Sequence, residues 1–346
     1  MLIVDERAIP TKKITEPEIA SEILSQGGIV AFPTETVFGL GADATNQAAV
    51  ERLFVAKGRP ADNPLIVHLA NAADWRLAAE QLTPVAEKLL AKFAPGPISV
   101  VLPKRKEILP PVTGGLDTVA IRVPECSVAR QILAECKLPI AAPSANLSGR
   151  PSATRWQAVW EDLSGKVDAV VCRNSARIGI ESTVVDCCGS VPIVLRSGGI
   201  SINAIRELFP EARMLGSPNA KTEASQPTAP NSPGLRHAHY RPNAPVRLFS
   251  VQSDIESGLN YETVACCSLG KTGAPKADWL LLREFQDVAE YAREFYEFLR
   301  EADRQGAKLI IVEYAPGEGI GLALRDRQLR AAGDASPPND MAPKWT

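Results

Sequence analysis

Short apolar runs, each cut off by a glycine, a proline or a polar loop, recur through the first 210 residues, at 29–32, 65–67, 98–102, 118–123, 138–142, 167–172, 182–187 and 193–195. Runs this short and this rich in branched residues suit strands buried in a sheet. Between them lie stretches with helical spacing of apolar residues, at 47–56, 84–93 and 128–136. A helix is also expected over 14–24, with Thr15 as cap and Glu18 three positions on. Another follows Ser201, carrying Ile202, Ile205 and Leu208 on one face. Strands and helices that mix without regular alternation predict a twisted mixed α/β sheet, open or partly closed towards a barrel.

The stretch 57–68 ties this pattern to chemistry. Lys57 ends a helical segment, Gly58 can take the left-handed conformation that closes it, and Pro60 stops it resuming. The chain then runs through Asn63 and Pro64 into the strand 65–67, which His68 ends. Lys57 and Arg59 share a stiff loop beside exposed backbone donors, an arrangement that suits a polyphosphate or another anion. They equally suit a plainer role, with Lys57 complementing the helix dipole and Arg59 solvated.

With 346 residues the chain is expected to form two domains, and 45% hydrophobic residues are enough for real cores. A formal net charge of -2 gives no overall field for nucleic acid or membrane, though a local basic cleft is compatible with it. No run is long enough to span a bilayer and the N-terminus lacks a signal-peptide pattern, so a cytosolic protein is expected. Seven cysteines, none in a Cys-x-x-Cys pair, read as reduced thiols, and three histidines are too few and scattered for a zinc site. No resident metal site is expected.

The segment 211–231 loses apolar periodicity and reads as a linker, leading into 232–242, which is unusually rich in Arg, His and Tyr for a spacer. We expect 232–242 to act as an active-site lid that closes on bound ATP, because Pro233-Gly234 permits a sharp turn on a flexible tether. A small α/β unit follows, with strands at 246–249, 263–266 and 309–312 and a helix at 288–305. The resulting division is 1–210 for the first domain, 211–243 for linker and lid, 244–335 for the second domain and 336–346 for a loose tail. Two motifs are rejected. Gly39-x-Gly41-x-x-Ala44 does not directly follow a strand, and Ala265 through Gly270-Lys271-Thr272 runs into Gly273-Ala274-Pro275 where a phosphate loop needs a helix.

The strand ends of the first domain carry Thr34, Thr36, Lys57, Arg59, Asn63, His68, Arg122, Ser144, Asn146, Ser182 and Arg196. Four cations among them can neutralise phosphates and a carboxylate, while hydroxyls and amides orient a polar ligand. Three blocks, Pro33-Thr34-Glu35-Thr36-Val37-Phe38-Gly39-Leu40, Lys57-Gly58-Arg59-Pro60 with Asn63-Pro64-Leu65, and Ala142-Pro143-Ser144-Ala145-Asn146-Leu147-Ser148-Gly149, resemble the signatures of the Sua5/YrdC family. Glu181-Ser182-Thr183, Leu195-Arg196-Ser197-Gly198 and Ser232-Pro233-Gly234 through Tyr240 continue the resemblance in order. Phe38, Ser197 and Arg241 depart from the usual residues and affect only local contacts.

The resemblance implies a YrdC-like twisted mixed sheet around a positively charged cavity, followed by a smaller Rossmann-like α/β domain. It implies a nucleotidyltransferase that joins L-threonine, bicarbonate or carbon dioxide and ATP into threonylcarbamoyl-adenylate and pyrophosphate, with Mg2+ accompanying ATP. A partner transferase would then pass the threonylcarbamoyl group to N6 of adenosine 37 in tRNA. By resemblance, Arg59, Asn63, Thr118, Ser144, Asn146, Ser152, Arg196 and Tyr240 hold the nucleotide, and Thr36, His68, Arg122 and Ser182 hold threonine. Lys57 and Arg59 would stabilise the departing pyrophosphate. A pure RNA-contact module is disfavoured by the balanced charge and the lack of interleaved aromatics. The carbamoyl-transfer module of hydrogenase maturation proteins is disfavoured because its zinc-finger cysteine pairs are missing.

Overall fold

The computed structural model describes residues 10–173, 176–215, 240–250, 259–270 and 278–333. Its first sheet has eleven strands: β1 (Lys12–Ile14), β2 (Val30–Phe32), β3 (Gly39–Asp43), β4 (Ile66–His68), β5 (Ile98–Pro103), β6 (Thr118–Arg122), β7 (Ile140–Ala141), β8 (Ala169–Val171), β9 (Thr183–Asp186), β10 (Ile193–Arg196) and β11 (Arg213–Met214). Their order is β1-β8-β2-β3-β7-β4-β6-β5-β9-β10-β11, mixing parallel and antiparallel pairs. Seven α-helices accompany it among the described residues: α1 (Pro17–Ser25), α2 (Gln47–Lys57), α3 (Pro84–Phe93), α4 (Pro110–Thr113), α5 (Ser127–Cys136), α6 (Trp156–Leu163) and α7 (Ile202–Arg206).

Apolar side chains are buried on both faces of this sheet, as short, nearly all-apolar strands require. On one face Ala20 and Leu24 of α1 meet Ala129, Ile132 and Leu133 of α5 over Val30 and Phe32. On the other, Val50 and Leu53 of α2, Leu89 of α3 and Val159 of α6 pack over Ala31, Leu40, Val67 and Ile121.

A second, all-parallel sheet is built from β12 (Val246–Phe249), β13 (Val264–Leu269), β14 (Leu281–Phe285) and β15 (Leu309–Glu313) in the order β12-β15-β13-β14. The helices α8 (Val288–Arg304) and α9 (Gly319–Ala332) accompany it. Asp287 caps α8 by accepting a hydrogen bond from the Glu290 N–H, and Tyr291, Phe295, Phe298 and Leu299 bury its apolar side. That core does not stop at the second unit: Val37 and Ile180 of the first unit, and Tyr240, belong to the same cluster.

Three expectations from the sequence need correcting. Residue 14 belongs to a strand, and Thr15 donates to Glu16 instead of capping, so the helix begins at Pro17. The segment 39–43, absent from the strands expected above, forms β3. Arg213 and Met214, assigned to the linker, pair with Ile193 and Val194 and extend the first sheet. The tail and most of the linker, including lid residues 232–239, lie outside the described residues.

Candidate active site

Strand register assembles the site. Parallel pairing of β4 with β6 sets His68 opposite Arg122 at the ends of both strands. Pairing of β5 with β9 brings Ser99 within 2.8 Å of Ser182, oxygen to oxygen. A bridge from Gly39 to Ser144 draws the 144–149 turn against the start of β3. These ends line a cleft of about 650 Å³, a figure that includes space open to solvent.

One group of walls is built around Arg59 and Arg196. Gly58, at a φ of 59°, ends α2 and turns the chain so that Arg59 can fold back on its own loop. Its Nη2 donates to the Pro64 carbonyl at 2.8 Å and its Nε to that of Asn63 at 3.2 Å. Burial pulls this guanidinium down to about 10, which leaves it cationic at neutral pH. Arg196, from the end of β10, donates through Nη2 to the Ser182 carbonyl at 2.9 Å. Ser144, Asn146 and Tyr240 line the same cleft. Tyr240 holds an unusual left-handed backbone (φ 69°) and lies against Tyr296, ring centres 5.2 Å apart.

The other group is built around Arg122. Its Nη2 pairs with Glu35 at 2.5 Å, and both side chains are buried. Arg122 Nε is buried with no hydrogen-bond partner, and so is Asn146 Oδ1. A buried donor without an acceptor is costly, so a ligand carboxylate at Arg122 would relieve a cost the fold already bears. His68, 3% exposed, is driven down to about 3 by burial and by the charge of Arg122, so it is neutral. The Ile66 carbonyl 3.2 Å from Nδ1 can only accept, which puts the ring proton on Nδ1 and leaves Nε2 an acceptor. Thr34 spends its hydroxyl proton on the Val37 carbonyl, so Thr36 donates to Thr34 and keeps its own lone pairs.

Among the residues singled out in the sequence, Thr36, Arg59, His68, Arg122, Ser144, Asn146, Ser182, Arg196 and Tyr240 line the cleft together, and Lys57, Asn63, Thr118 and Ser152 do not. Lys57 is no loop cation. It is fully buried and its Nζ donates to the carbonyls of Ser144 and Asn146, while burial depresses its pKa well below the usual lysine range. Its amine therefore pins the 144–146 turn. Asn63 holds Arg59 through its backbone carbonyl. Ser152 donates to Glu181 at 2.7 Å. Thr118 opens β6, at the far end of the strand from Arg122.

Sequence reasoning missed Glu35 and Glu181, the carboxylates that fix Arg122 and Ser152. It also missed Tyr296 and Arg327, which reach Glu181 from the second unit. The available signal was an acid next to apolar residues at the entrance to a buried strand, which demands a partner. Among the described residues no cluster of three or more His, Cys, Asp or Glu could hold a metal, and no helix is long and apolar enough to cross a membrane.

Known proteins match this chain over most of its length. Residues 22–198 match the Sua5/YciO/YrdC family, described as telomere recombination. Residues 200–333 match the threonylcarbamoyl-AMP synthase C-terminal domain. The chain is 39% identical over 321 residues to the threonylcarbamoyl-AMP synthase of Pyrococcus abyssi, covering 91% of this chain and 93% of the relative. It is 38% identical over 331 residues to that of Bacillus subtilis, covering 92% and 94%. The crystal structure of P. abyssi Sua5 complexed with L-threonine superposes with a TM-score of 0.82 at 36% identity, covering 93% of this chain and 97% of that one.

Proposed function

The chain belongs to the Sua5/YciO/YrdC family in its two-domain, threonylcarbamoyl-AMP synthase form, and from that premise we propose that it makes threonylcarbamoyl-AMP and pyrophosphate from L-threonine, bicarbonate or carbon dioxide, and ATP. The observation that carries this reading is the split of the cleft into two kinds of wall. Arg59 and Arg196, close enough to influence each other's charge, suit a polyphosphate. Arg122 with its unpaired Nε, beside a neutral His68, suits an amino acid carboxylate and its polar neighbours.

The chemistry follows from that split. Arg122 would take the threonine carboxylate, and Thr36, His68 and Ser182 would orient the hydroxyl and amine. The amine combines with bicarbonate to give a carbamate, releasing water. A carbamate oxygen then attacks the α-phosphorus of ATP and the bond to pyrophosphate breaks. Arg59 and Arg196 would stabilise the charge that builds on the leaving group, an electrostatic effect commonly worth several kcal/mol. Lys57 serves the same end indirectly, through the turn bearing Ser144 and Asn146. Holding three reactants in one cleft supplies much of the remaining acceleration.

Glu35 and Glu181 are committed to arginines, so the walls offer few free anionic ligands for a divalent cation. That fits Mg2+ arriving with ATP, since this ion keeps several waters and needs few protein ligands. The unpartnered Asn146 Oδ1 is the oxygen that would help hold it, and the ion would share the charge of the departing pyrophosphate. The product would pass to a transferase acting on N6 of adenosine 37 in tRNA. Pyrophosphate release measured with each component omitted in turn tests the reading. Release should require ATP, threonine and bicarbonate together, and equal release without threonine overturns it.

A further inference from the structure

Glu181 is a carboxylate in the wall of a cleft that otherwise offers cations to an anion, and it is only 7% exposed. Both its oxygens are held from outside the first sheet. Oε1 accepts from Ser152 at 2.7 Å and from the Tyr296 hydroxyl at 3.2 Å, and Oε2 accepts from Tyr296 at 3.1 Å and from Arg327 Nε at 3.1 Å. Tyr296 belongs to α8 and Arg327 to α9, so the second unit reaches into the site of the first. Arg327 is 0% exposed, and its Nη1 also donates at 2.8 Å to the carbonyl of Ser197, the residue after Arg196.

The docking is tight along this edge. Gly179, at a φ of 80°, lies so close to α8 that an added Cβ would stand 2.2 Å from the Arg293 Cα. Ile180 is buried among the aromatic residues of α8. A second attachment lies nearby, where Arg300 donates to the Pro151 carbonyl at 2.6 Å and to Asp162 at 2.7 Å, just before Ser152.

We propose that Arg327 and Tyr296 are positioning residues for the reaction: they neutralise and fix Glu181, so that Arg196 remains available to the phosphates of the nucleotide. This rests on the reading of the cleft given above. Burial alone would raise the Glu181 carboxyl, and the charges of Arg327 and then Arg196 outweigh it to hold the group below its ordinary range. Without Arg327, Arg196 is the next cation in line. A buried carboxylate stripped of its partner captures the nearest positive charge. Arg196 is anchored on Ser182, the neighbour of Glu181, and is near enough for its charge to act on that carboxylate. The second unit thus sets the charge of the nucleotide site without touching the nucleotide. The threonine carboxylate, held by Arg122 on its own partner Glu35, keeps its anchor through the change.

The test is ATP binding to the full-length protein by calorimetry, with threonine affinity and thermal melting measured alongside. Arg327→Met should weaken ATP binding about tenfold or more while threonine affinity stays within about twofold, as expected when one partner of a buried pair is removed. The double variant Glu181→Gln, Arg327→Met removes the stranded charge and should bind ATP within about threefold of the unchanged protein, a coupling that marks direct interaction. A double variant no better than Arg327→Met overturns the proposal and leaves Arg327 a mere interdomain tie. Should Arg327→Met fail to melt cooperatively, Tyr296→Phe keeps the ring and deletes only the hydroxyl. It should weaken ATP binding about threefold, the loss of a hydrogen bond to a charged group, and unaltered binding overturns the proposal. Failure of the unchanged protein to bind ATP would instead remove the reading of the cleft itself.

Discussion

A histidine buried beside an arginine cannot take up a second positive charge without an acceptor to balance it. His68 has only a backbone carbonyl, so burial first and Arg122 second bring it to about 3, against an ordinary value near 6.5. Between those pH values the unfolded chain binds a proton that the folded chain refuses. The stability tied to neutral His68 is therefore complete above about pH 6.5 and is lost progressively as pH falls towards 3. Urea melts between pH 7 and 4 should show a shallower pH dependence for His68→Gln than for the unchanged protein, and parallel curves would contradict the assignment. For Arg59 the two ledgers separate. Arg59→Ala gives up hydrogen bonds to Pro64 and Asn63, a loss of about 1–2 kcal/mol in stability, yet turnover should fall by about 100-fold or more. A folded Arg59→Ala protein with near-normal turnover would return Arg59 to a structural role. The residue types of the site were legible because strand ends followed by polar, glycine-bearing turns advertise themselves locally. Lys57 was misread because its acceptors, the carbonyls of Ser144 and Asn146, lie some ninety positions away, brought near only by the bridge from Gly39 to Ser144.

Among the elements, β3 shows most clearly why a glycine-rich segment can be a buried strand. A Cβ on Gly41 would stand 2.7 Å from Phe32 Cε1 and 2.9 Å from Ile140 Cγ2, so glycine is what lets β2, β3 and β7 lie close. Gly41→Ala should cost about 1–3 kcal/mol, the usual penalty for overpacking a core. Because β3 continues the turn that carries Thr34 and Thr36, the same variant should also weaken threonine binding. A thermal melt and a threonine titration check both, and an unchanged melting temperature would show that the ring of Phe32 yields freely. Helices α2, α3 and α5 and the strands β5, β6, β10 and β12 could be read from spacing and punctuation, since their signals are local. Helix α9 could not. It opens with Gly319 and Gly321, poor helix formers, and Gly321 is required there because a Cβ would stand 2.4 Å from the Pro316 carbonyl oxygen. Strand β1 was hidden because its parallel partner, β8, lies more than 150 residues along the chain.

For the whole molecule, length and the loss of apolar periodicity after residue 210 predict two units, and two sheets are present. What neither feature reveals is how the units join. Val37, Ile180 and Tyr240 sit in the aromatic core of the second unit, and Glu181 is gripped by Tyr296 and Arg327. No local signal in α8 or α9 tells an arginine bound for solvent from one bound for a buried carboxylate more than a hundred residues away. The consequence is that one wall of a cleft lined by the first unit and Tyr240 is held in place from the second, with cations arranged for a polyanion and a separate arginine for a carboxylate. That arrangement supports the proposed meeting of threonine, a one-carbon unit and ATP in the cleft. The most direct measurement is mass spectrometry of the full-length protein incubated with threonine, ATP, Mg2+ and bicarbonate carrying carbon-13. The account predicts an adduct of threonine, the labelled carbon and AMP, one pyrophosphate for each adduct, and no adduct when threonine is withheld. AMP and pyrophosphate released with no labelled adduct, or an adduct that carries no label, would contradict it.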